Sequence, residues 1–185
     1  MVPGLMARMD PVELQDDRLL LRLARPEDAE EITAACQDTE TQRWIPLPVP
    51  YEARHAEEWI AARPTAWAND QELNWVVTDG ADGRLLGTVA LHPHDESMRE
   101  IGFWTAPWAR RRGVMTAAGR LACGWGFEEL KLGRIEWWAA VGNWGSRRVA
   151  ERIGFAVEGT CRDRLLHRGE RREAWVGGLL PGELR

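Results

Sequence analysis

The sequence is poor in lysine and cysteine, and both shortages limit the chemistry open to the chain. Lys131 is the only lysine among 24 basic residues, so nearly all positive charge is arginine, whose planar guanidinium suits bidentate contacts to phosphate. Cys36, Cys123 and Cys161 are far apart and form no CxxC pair, which argues against a disulfide framework and against a zinc site. We therefore expect reduced, buried thiols and no bound metal.

The chain also lacks long apolar runs and any excess of positive charge. No segment approaches about 18 uninterrupted apolar residues, and residues 1–10 contain no apolar stretch of signal-peptide length. The formal net charge of -5 argues against a general binder of nucleic acid or membrane surfaces, because both need positive potential. We expect a cytoplasmic protein with neither partner, and a homodimer stays open as its assembly.

Length and composition predict one compact domain. With 185 residues, 44% of them hydrophobic and 29% charged, the chain can bury a sizeable core but is too short for two ordinary domains. We place a single domain at residues 18–185 and an N-terminal extension at residues 1–17.

Hydrophobic periodicity predicts a mixed α/β order of elements. From Gly113 onward apolar residues recur at the i, i+3, i+4, i+7 spacing of one helix face, and shorter helices are predicted after Pro26, Tyr51 and Ser146. The polar stretch from His92 to Arg99 is interpreted as a solvated hairpin between two strands. The predicted strands are residues 18–25, 73–78, 85–91, 100–105, 134–141, 154–162 and 173–180.

An arginine-rich loop joins the strand at 100–105 to the clearest helix and ends in Gly113. The first N–H groups of a helix have no intrahelical partner and lie at the positive end of its dipole, so a diphosphate can accept several main-chain hydrogen bonds there. Gly113 would let the phosphates approach the main chain, and the arginines at 110–112 would add charge. A run of arginines is also typical of a solvated surface, so the loop alone leaves both interpretations open.

The loop and three further stretches resemble the ribosomal-protein (Rim-type) branch of the GNAT N-acetyltransferases. Residues 110–116 read RRRGVMT and are similar to the acetyl-CoA loop of that superfamily, with Met115 where most members have glycine or alanine. Residues 100–104 (EIGFW), 143–155 (NWGSRRVAERIGF) and 157–159 (VEG) are also similar. The resemblance implies an α+β (mixed α/β) GNAT fold. Its twisted, mostly antiparallel sheet of about seven strands would splay between strands 4 and 5 and carry about four flanking helices.

The resemblance also implies an enzyme that moves an acetyl-type group from acetyl-CoA or a related acyl-CoA to a primary amine in one ternary complex. It implies that the pantetheine arm lies in the splay and pairs with the main chain of Phe103, Trp104 and Thr105. The other residues it implies as contacts of coenzyme A are Arg110, Arg111, Arg112, Gly113, Val114, Met115, Thr116, Asn143, Ser146 and Arg147. For Asn143 a helix cap, and for Arg147 a solvated surface, are equally good interpretations.

Acyl transfer to an amine needs a base, an oxyanion donor and a proton for the leaving thiolate. Strand alternation places Glu100 on the face of Trp104, so Glu100 is the candidate base, with a water chain as the alternative. A main-chain N–H near Trp104 would hold the oxyanion. Ser146 matches the serine of the branch and is the candidate acid, or else a helix cap. Related enzymes often use a late tyrosine, but the single tyrosine, Tyr51, lies early in the chain.

The sequence leaves the acceptor open. The 11 tryptophans, several of them in segments expected to border the cleft, slightly favour a small amine in a closed aromatic pocket. A protein N-terminus, which needs an open groove, is the first alternative. A sensor that binds acyl-CoA without catalysis is an alternative of another class, and a nucleic-acid module is the weakest one because the chain is acidic. Acetyl and succinyl donors are not distinguished.

Overall fold

The computed structural model describes residues 9–185, and the earlier part of the predicted N-terminal extension lies outside them. Its strands are β1 (Leu14–Gln15), β2 (Leu19–Arg22), β3 (Leu73–Asp79), β4 (Leu85–Pro93), β5 (Met98–Thr105), β6 (Arg134–Ala140), β7 (Ala156–His167) and β8 (Glu170–Leu179). They form one sheet in the order β1-β2-β3-β4-β5-β6-β8-β7. Every neighbouring pair is antiparallel except the parallel pair β5 and β6, which confirms the predicted mixed, mostly antiparallel fold.

Five α-helices accompany the sheet: α1 (Ala29–Gln37), α2 (Thr39–Trp44), α3 (Ala53–Ala68), α4 (Val114–Glu128) and α5 (Trp144–Ile153). A Cβ added at Gly119 of α4 would meet Ile153 of α5 and approach Ile101 of β5. The helix α4 therefore packs closely on both elements. Helices α1 and α3 contact each other and, respectively, the strands β4 and β3.

Two counts predicted from the sequence need correction. Within residues 9–185 the sheet has eight strands instead of about seven, and five α-helices accompany it instead of about four. The additional strand β1 has only two residues, so it shows no periodicity, and it depends on pairing with β2. The additional helix α2 begins where the side chain of Asp38 accepts a hydrogen bond from the N–H of Thr41, an N-cap too short-ranged to show as periodicity.

The prediction of a solvated hairpin from His92 to Arg99 is wrong for its two ends. The side chain of Asp95 accepts hydrogen bonds from the N–H and hydroxyl of Ser97, which closes a tight turn. The ladder between β4 and β5 can therefore continue on both sides of that turn. As a result His92 is half-buried in β4, directly opposite Glu100 of β5.

The predicted splay is present between β5 and β6, which are the fourth and fifth strands of the sequence prediction. Their pairing covers only Met98 to Ile101 of β5 and Arg134 to Trp137 of β6. On its other edge β5 stays paired with β4 as far as Thr105. Within residues 9–185 the end of β5 after Ile101 thus has no strand partner on its β6 side, and a gap opens between the two strands.

Several tryptophans lie in the core, so fewer of them remain to form the aromatic pocket expected from the sequence. Trp67 of α3 and Trp75 of β3 are fully buried, and their rings meet edge to face with centroids 5.0 Å apart. Trp125 of α4 lies beside both. Each buried indole N–H donates to a carbonyl, that of Asn74 for Trp67 and that of Val12 for Trp75. These tryptophans stabilise the fold and do not border the gap.

Candidate functional site

The helix α4 begins at an open main-chain site. Its N-cap is Gly113 at φ +74°, in the left-handed region that favours glycine, and no side chain caps the helix. A Cβ added there would meet nothing within 4 Å, so the space before the first turn is free. Val114, Met115 and Thr116 of this first turn are buried, whereas Gly113 itself is exposed. The Cε atom of Met115 packs against Gly87 of β4, which makes room for the larger side chain.

The three loop arginines have different surroundings. The guanidinium of Arg110 donates to the carboxylate of Asp38 and, at 2.9 Å, to the hydroxyl of Thr41. Burial alone would raise the pKa of Asp38, but the hydrogen bonds from Arg110 and Thr41 outweigh it and hold that pKa below its ordinary value. Arg110 thus ties the loop to the start of α2, whereas Arg111 and Arg112 are exposed.

A cavity of about 180 Å³ lies beside the loop, next to Arg112 and Val114. Its lining also includes Arg18 and the acidic residues Asp17 and Asp79. Two acidic residues beside two arginines leave this cavity without the excess of positive charge that would favour a phosphate.

The unpaired edge of β5 contains Phe103, Trp104 and Thr105, all half-buried. On the opposite edge, the main chain of β4 comes so close that a Cβ at Gly87 would lie 2.2 Å from the carbonyl oxygen of Trp104. The strand is therefore fixed from one side, while alternate N–H and C=O groups point into the gap.

The start of α5 borders the gap from the face of the sheet that carries Trp137. The hydroxyl of Ser146 accepts a 2.9 Å hydrogen bond from the indole N–H of Trp137, which lies on that face of β6. The N–H of Ser146 donates to the side chain of Asn143 at 3.1 Å, so Asn143 caps the helix. Because a serine hydroxyl both donates and accepts, Ser146 keeps its own proton for another partner.

The guanidinium of Arg147 is engaged within the same region. Its Nε donates to Glu151 at 2.8 Å, and the group lies over the rings of Trp144 and Trp175, 5.3 and 4.8 Å from their centroids. The structure therefore places Arg147 on an aromatic surface of α5 and β8, where a phosphate contact would require it to leave these partners.

The other face of the sheet presents Glu100 at the beginning of the gap. It lies opposite His92 of β4 and beside Glu136 of β6. The imidazole of His92 covers Gly102, since a Cβ added there would lie 3.0 Å from Nε2. Burial raises the pKa of Glu100, and Glu136 raises it further, against the opposite effects of His92 and Arg164. A carboxylate with a raised pKa at the edge of a cleft is suited to accept a proton at neutral pH.

Four residues that the sequence did not assign to the catalytic site lie near Glu100 in the structure. These are His92, Glu136, Trp138 and Arg164. Trp138 donates from its indole N–H to Glu136 at 3.1 Å, and the guanidinium of Arg164 lies 4.5 Å from the centroid of Trp138. Alternation along β6 already puts Glu136 and Trp138 on one face, but only the register between strands shows that this face is the face of Glu100.

The helix α2 spans the end of the gap. On the β5 side it is bound through Arg110, as described above. On the β6 side, the ring of Trp44 would be 3.7 Å from a Cβ at Gly142, and the guanidinium of Arg168 donates to the carbonyl of Gln42 at 3.0 Å. The helix thus contacts the loop after β5, the loop after β6 and the tip of the β7–β8 hairpin, and it closes this end.

Among residues 9–185, no three His, Cys, Asp or Glu side chains are arranged to hold a metal ion. None of the helices in that range is both long and apolar enough to span a bilayer.

Known proteins match both the sequence and the fold. Residues 18–156 match the family described as "Acetyltransferase (GNAT) domain". The Bacillus subtilis (strain 168) protein named "Putative ribosomal N-acetyltransferase YdaF" is 35% identical over 177 residues, which covers 91% of this chain and 94% of the relative.

Solved structures agree with this match. A GNAT-family acetyltransferase from Bacillus anthracis has a TM-score of 0.82 at 25% identity, covering 91% of this chain and 98% of that chain. RimJ from Mycobacterium smegmatis, solved in complex with CoA-disulfide, has a TM-score of 0.80 at 22% identity, covering 94% and 88%, and is alike in fold alone. Because the family match covers more than half of this chain and agrees with its fold, the resemblance to the ribosomal-protein branch is confirmed, and the chain belongs to the GNAT family of N-acetyltransferases.

Proposed function

We propose that the protein transfers an acetyl-type group from an acyl-CoA to a primary amine, with both substrates bound at the gap between β5 and β6. The observation that carries the proposal is the end of strand pairing at Ile101 and Trp137. It leaves a main-chain edge open between Ser146 on one face of the sheet and Glu100 on the other. A thioester in that gap can be reached from both faces at once, as direct transfer requires.

The coenzyme would bind on what we term the donor side, made of the loop at 106–113, the open edge of β5 and the start of α5. The first turn of α4 at Gly113, helped by Arg111 and Arg112, would hold the diphosphate. The main chain of residues 103–105 would pair with the amides of the pantetheine arm. Membership of an acetyltransferase family supports this choice of ligand.

The amine would approach the acceptor face, which we define as His92, Glu100, Glu136 and Trp138. Its nitrogen attacks the thioester carbonyl, and a main-chain N–H near Trp104 stabilises the oxyanion. Glu100 takes the proton from the nitrogen, directly or through a water, as the C–S bond breaks. Ser146 gives a proton to the leaving thiolate and regains one through water, while Glu100 releases the proton of the amine to the same solvent.

A small amine is the favoured acceptor because α2 closes the end of the gap through Trp44 and Gln42. A closed end suits a compact substrate better than an extended peptide. The alternative is the α-amine of a protein N-terminus, which the name of the relative YdaF favours. The buried carboxylate of Glu100 suits an amine in either case, since it attracts the ammonium form.

The test is a thiol-release assay with acetyl-CoA and two panels of acceptors, small primary amines and peptides with free N-termini. Before the assay, acetyl-CoA alone should raise the melting temperature, because a ligand that binds only the folded state stabilises it. We expect thiol release with at least one small amine. Release only with peptides would favour the alternative acceptor, and a melting shift without any release would make the protein an acyl-CoA sensor. No shift at millimolar acetyl-CoA would overturn the proposal.

A further inference from the structure

The strand β7 is irregular where it passes the acceptor face. Cys161 lies opposite Ala174 and Leu165 opposite Arg172, so three residues of β7 face only one residue of β8. Asp163, inside this bulge, adopts φ +51°, and its carbonyl accepts a 3.0 Å hydrogen bond from Arg171. Bulges of this kind redirect side chains and are frequent beside active sites.

The bulge turns Arg164 over the acceptor face. Its guanidinium lies 4.5 Å from the ring centroid of Trp138, and the indole N–H of Trp138 is held by Glu136. Arg164 is also near enough to Glu100 to lower the pKa of that carboxyl. When a guanidinium stacks on an aromatic ring, its N–H donors lie in the guanidinium plane and point outward, away from the ring.

Arg164 differs from the other arginine of this face. Arg134 is saturated, since it donates to Glu136 at 3.0 Å and to Glu158. Arg164 takes part in none of the ion pairs or side-chain hydrogen bonds found within residues 9–185. Its exposed guanidinium therefore offers unpaired donors beside two carboxylates, Glu100 and Glu136, that would otherwise repel any anion.

We infer that Arg164 binds an anionic group of the acceptor, a carboxylate or a phosphate, so that the enzyme selects amines that also carry a negative charge. This inference rests on the proposed function. The amine end of such a substrate meets Glu100, and its anionic end meets the free edge of Arg164. Arg164 is assigned to the acceptor because it belongs to the hairpin that contacts α2 at the closed end of the gap. A carboxylate on the acyl donor is the competing partner.

The experiment compares matched acceptors in the thiol-release assay with acetyl-CoA: phenylalanine against phenylalaninamide, and phosphoethanolamine against ethanolamine. The first pair tests a carboxylate and the second a phosphate. The wild-type enzyme should give a higher kcat/KM for the anionic member of at least one pair. In Arg164→Gln the ratio of anionic to neutral should fall about tenfold or more, the size of a lost charge-assisted hydrogen bond.

The matched control is Arg162→Gln, on the same exposed bulge, which should leave the ratio unchanged. Arg164→Lys, which keeps the charge but not the planar fork, should recover part of the ratio. A wild-type enzyme without preference, or an equal loss for both members of a pair, overturns the inference and leaves the proposed function intact. The inference is also overturned if Arg164→Gln lowers kcat/KM only when succinyl-CoA replaces acetyl-CoA as the donor. Absence of thiol release with every amine, by contrast, overturns the proposed function itself.

Discussion

The donor side and the acceptor face differ in how the chain builds them. The donor side consists of main-chain groups and of residues close together in sequence, at 103–116 and 143–147. The acceptor face takes its side chains from three strands, with Arg164 reaching over it from a fourth. Binding at the donor side should therefore tolerate changes of side chain, whereas binding at the acceptor face should depend on the register of the sheet.

The two regions also differ in charge. The donor side has exposed Arg111 and Arg112 at a helix N-terminus, which suits a polyanion. The acceptor face has Glu100 beside Glu136, which suits an ammonium group. Removing a side chain from the acceptor face should consequently affect turnover, and altering the main chain of the donor side should affect binding.

The largest effect is expected for Glu100→Gln. Loss of a general base typically lowers turnover by about 10²- to 10⁴-fold, while the melting shift caused by acetyl-CoA should remain. Because burial raises the pKa of Glu100, the wild-type rate should increase with pH through a titration above the ordinary range of glutamate, and the variant should lack it. A loss below about tenfold with an unchanged pH profile would assign the base to water. His92→Gln tests the nearest other base.

The same variant should change stability with a defined sign. The folded pKa of Glu100 is raised, so the stability linked to its protonated form is present at low pH and is lost as pH rises through that pKa. Glu100→Gln should therefore stabilise the fold relative to wild type near pH 7 more than near pH 4. Thermal unfolding at the two pH values measures this, and an equal difference at both would show that burial does not disfavour the charge.

Ser146→Ala should have a smaller effect on turnover, up to about 10²-fold, because a thiolate can also take its proton from water. The substitution leaves the buried indole N–H of Trp137 without its acceptor, which costs about 1–3 kcal/mol of stability. Ser146→Thr, which keeps a hydroxyl, is the control for the lost proton. Full activity in the alanine variant, measured as kcat at saturating acetyl-CoA, would reduce Ser146 to a partner of Trp137.

Gly113→Val tests the donor side through its main chain. Valine at φ +74° is strained, at about 1–3 kcal/mol, although its Cβ meets nothing. Gly83→Val is a matched control, since Gly83 has φ +75° and equally open surroundings in the turn between β3 and β4. Both variants should lose similar stability, but only Gly113→Val should lose most of the melting shift caused by acetyl-CoA. Equal shifts in the two variants would remove the loop from the coenzyme site.

The signals by which the sequence predicts the donor side are local. The glycine before α4, the apolar face of that helix and the motif around Ser146 are all contiguous, and the fold class and splay followed from the resemblance that they carry. The sequence leaves Asn143 open as a contact of coenzyme A or as a helix cap, and in the structure its side chain caps α5.

The acceptor face was largely hidden because it depends on contacts between distant segments. His92 was assigned to a solvated turn, since nothing local shows that the ladder continues to it. Arg110 appeared in the sequence as one of three equivalent arginines, and only the fold brings Asp38 to it. The direction of the Arg164 side chain depends on the bulge in β7, and a bulge in a polar strand has no sequence signal.

The smallest effect is expected for Trp44→Ala, which tests whether the closed end of the gap limits the acceptor. Truncation removes the ring that contacts Gly142 but leaves the acceptor face intact, so kcat/KM for small amines should fall only a few-fold, through a higher KM. Peptide acceptors should gain relative to small amines, because the end of the gap opens. Trp59→Ala is the control, since Trp59 is likewise half-buried on a helix and stacked under an arginine, Arg63. If both variants change the ratio of peptide to small-amine turnover alike, the closure by α2 does not select the substrate, and the protein N-terminus becomes the better acceptor.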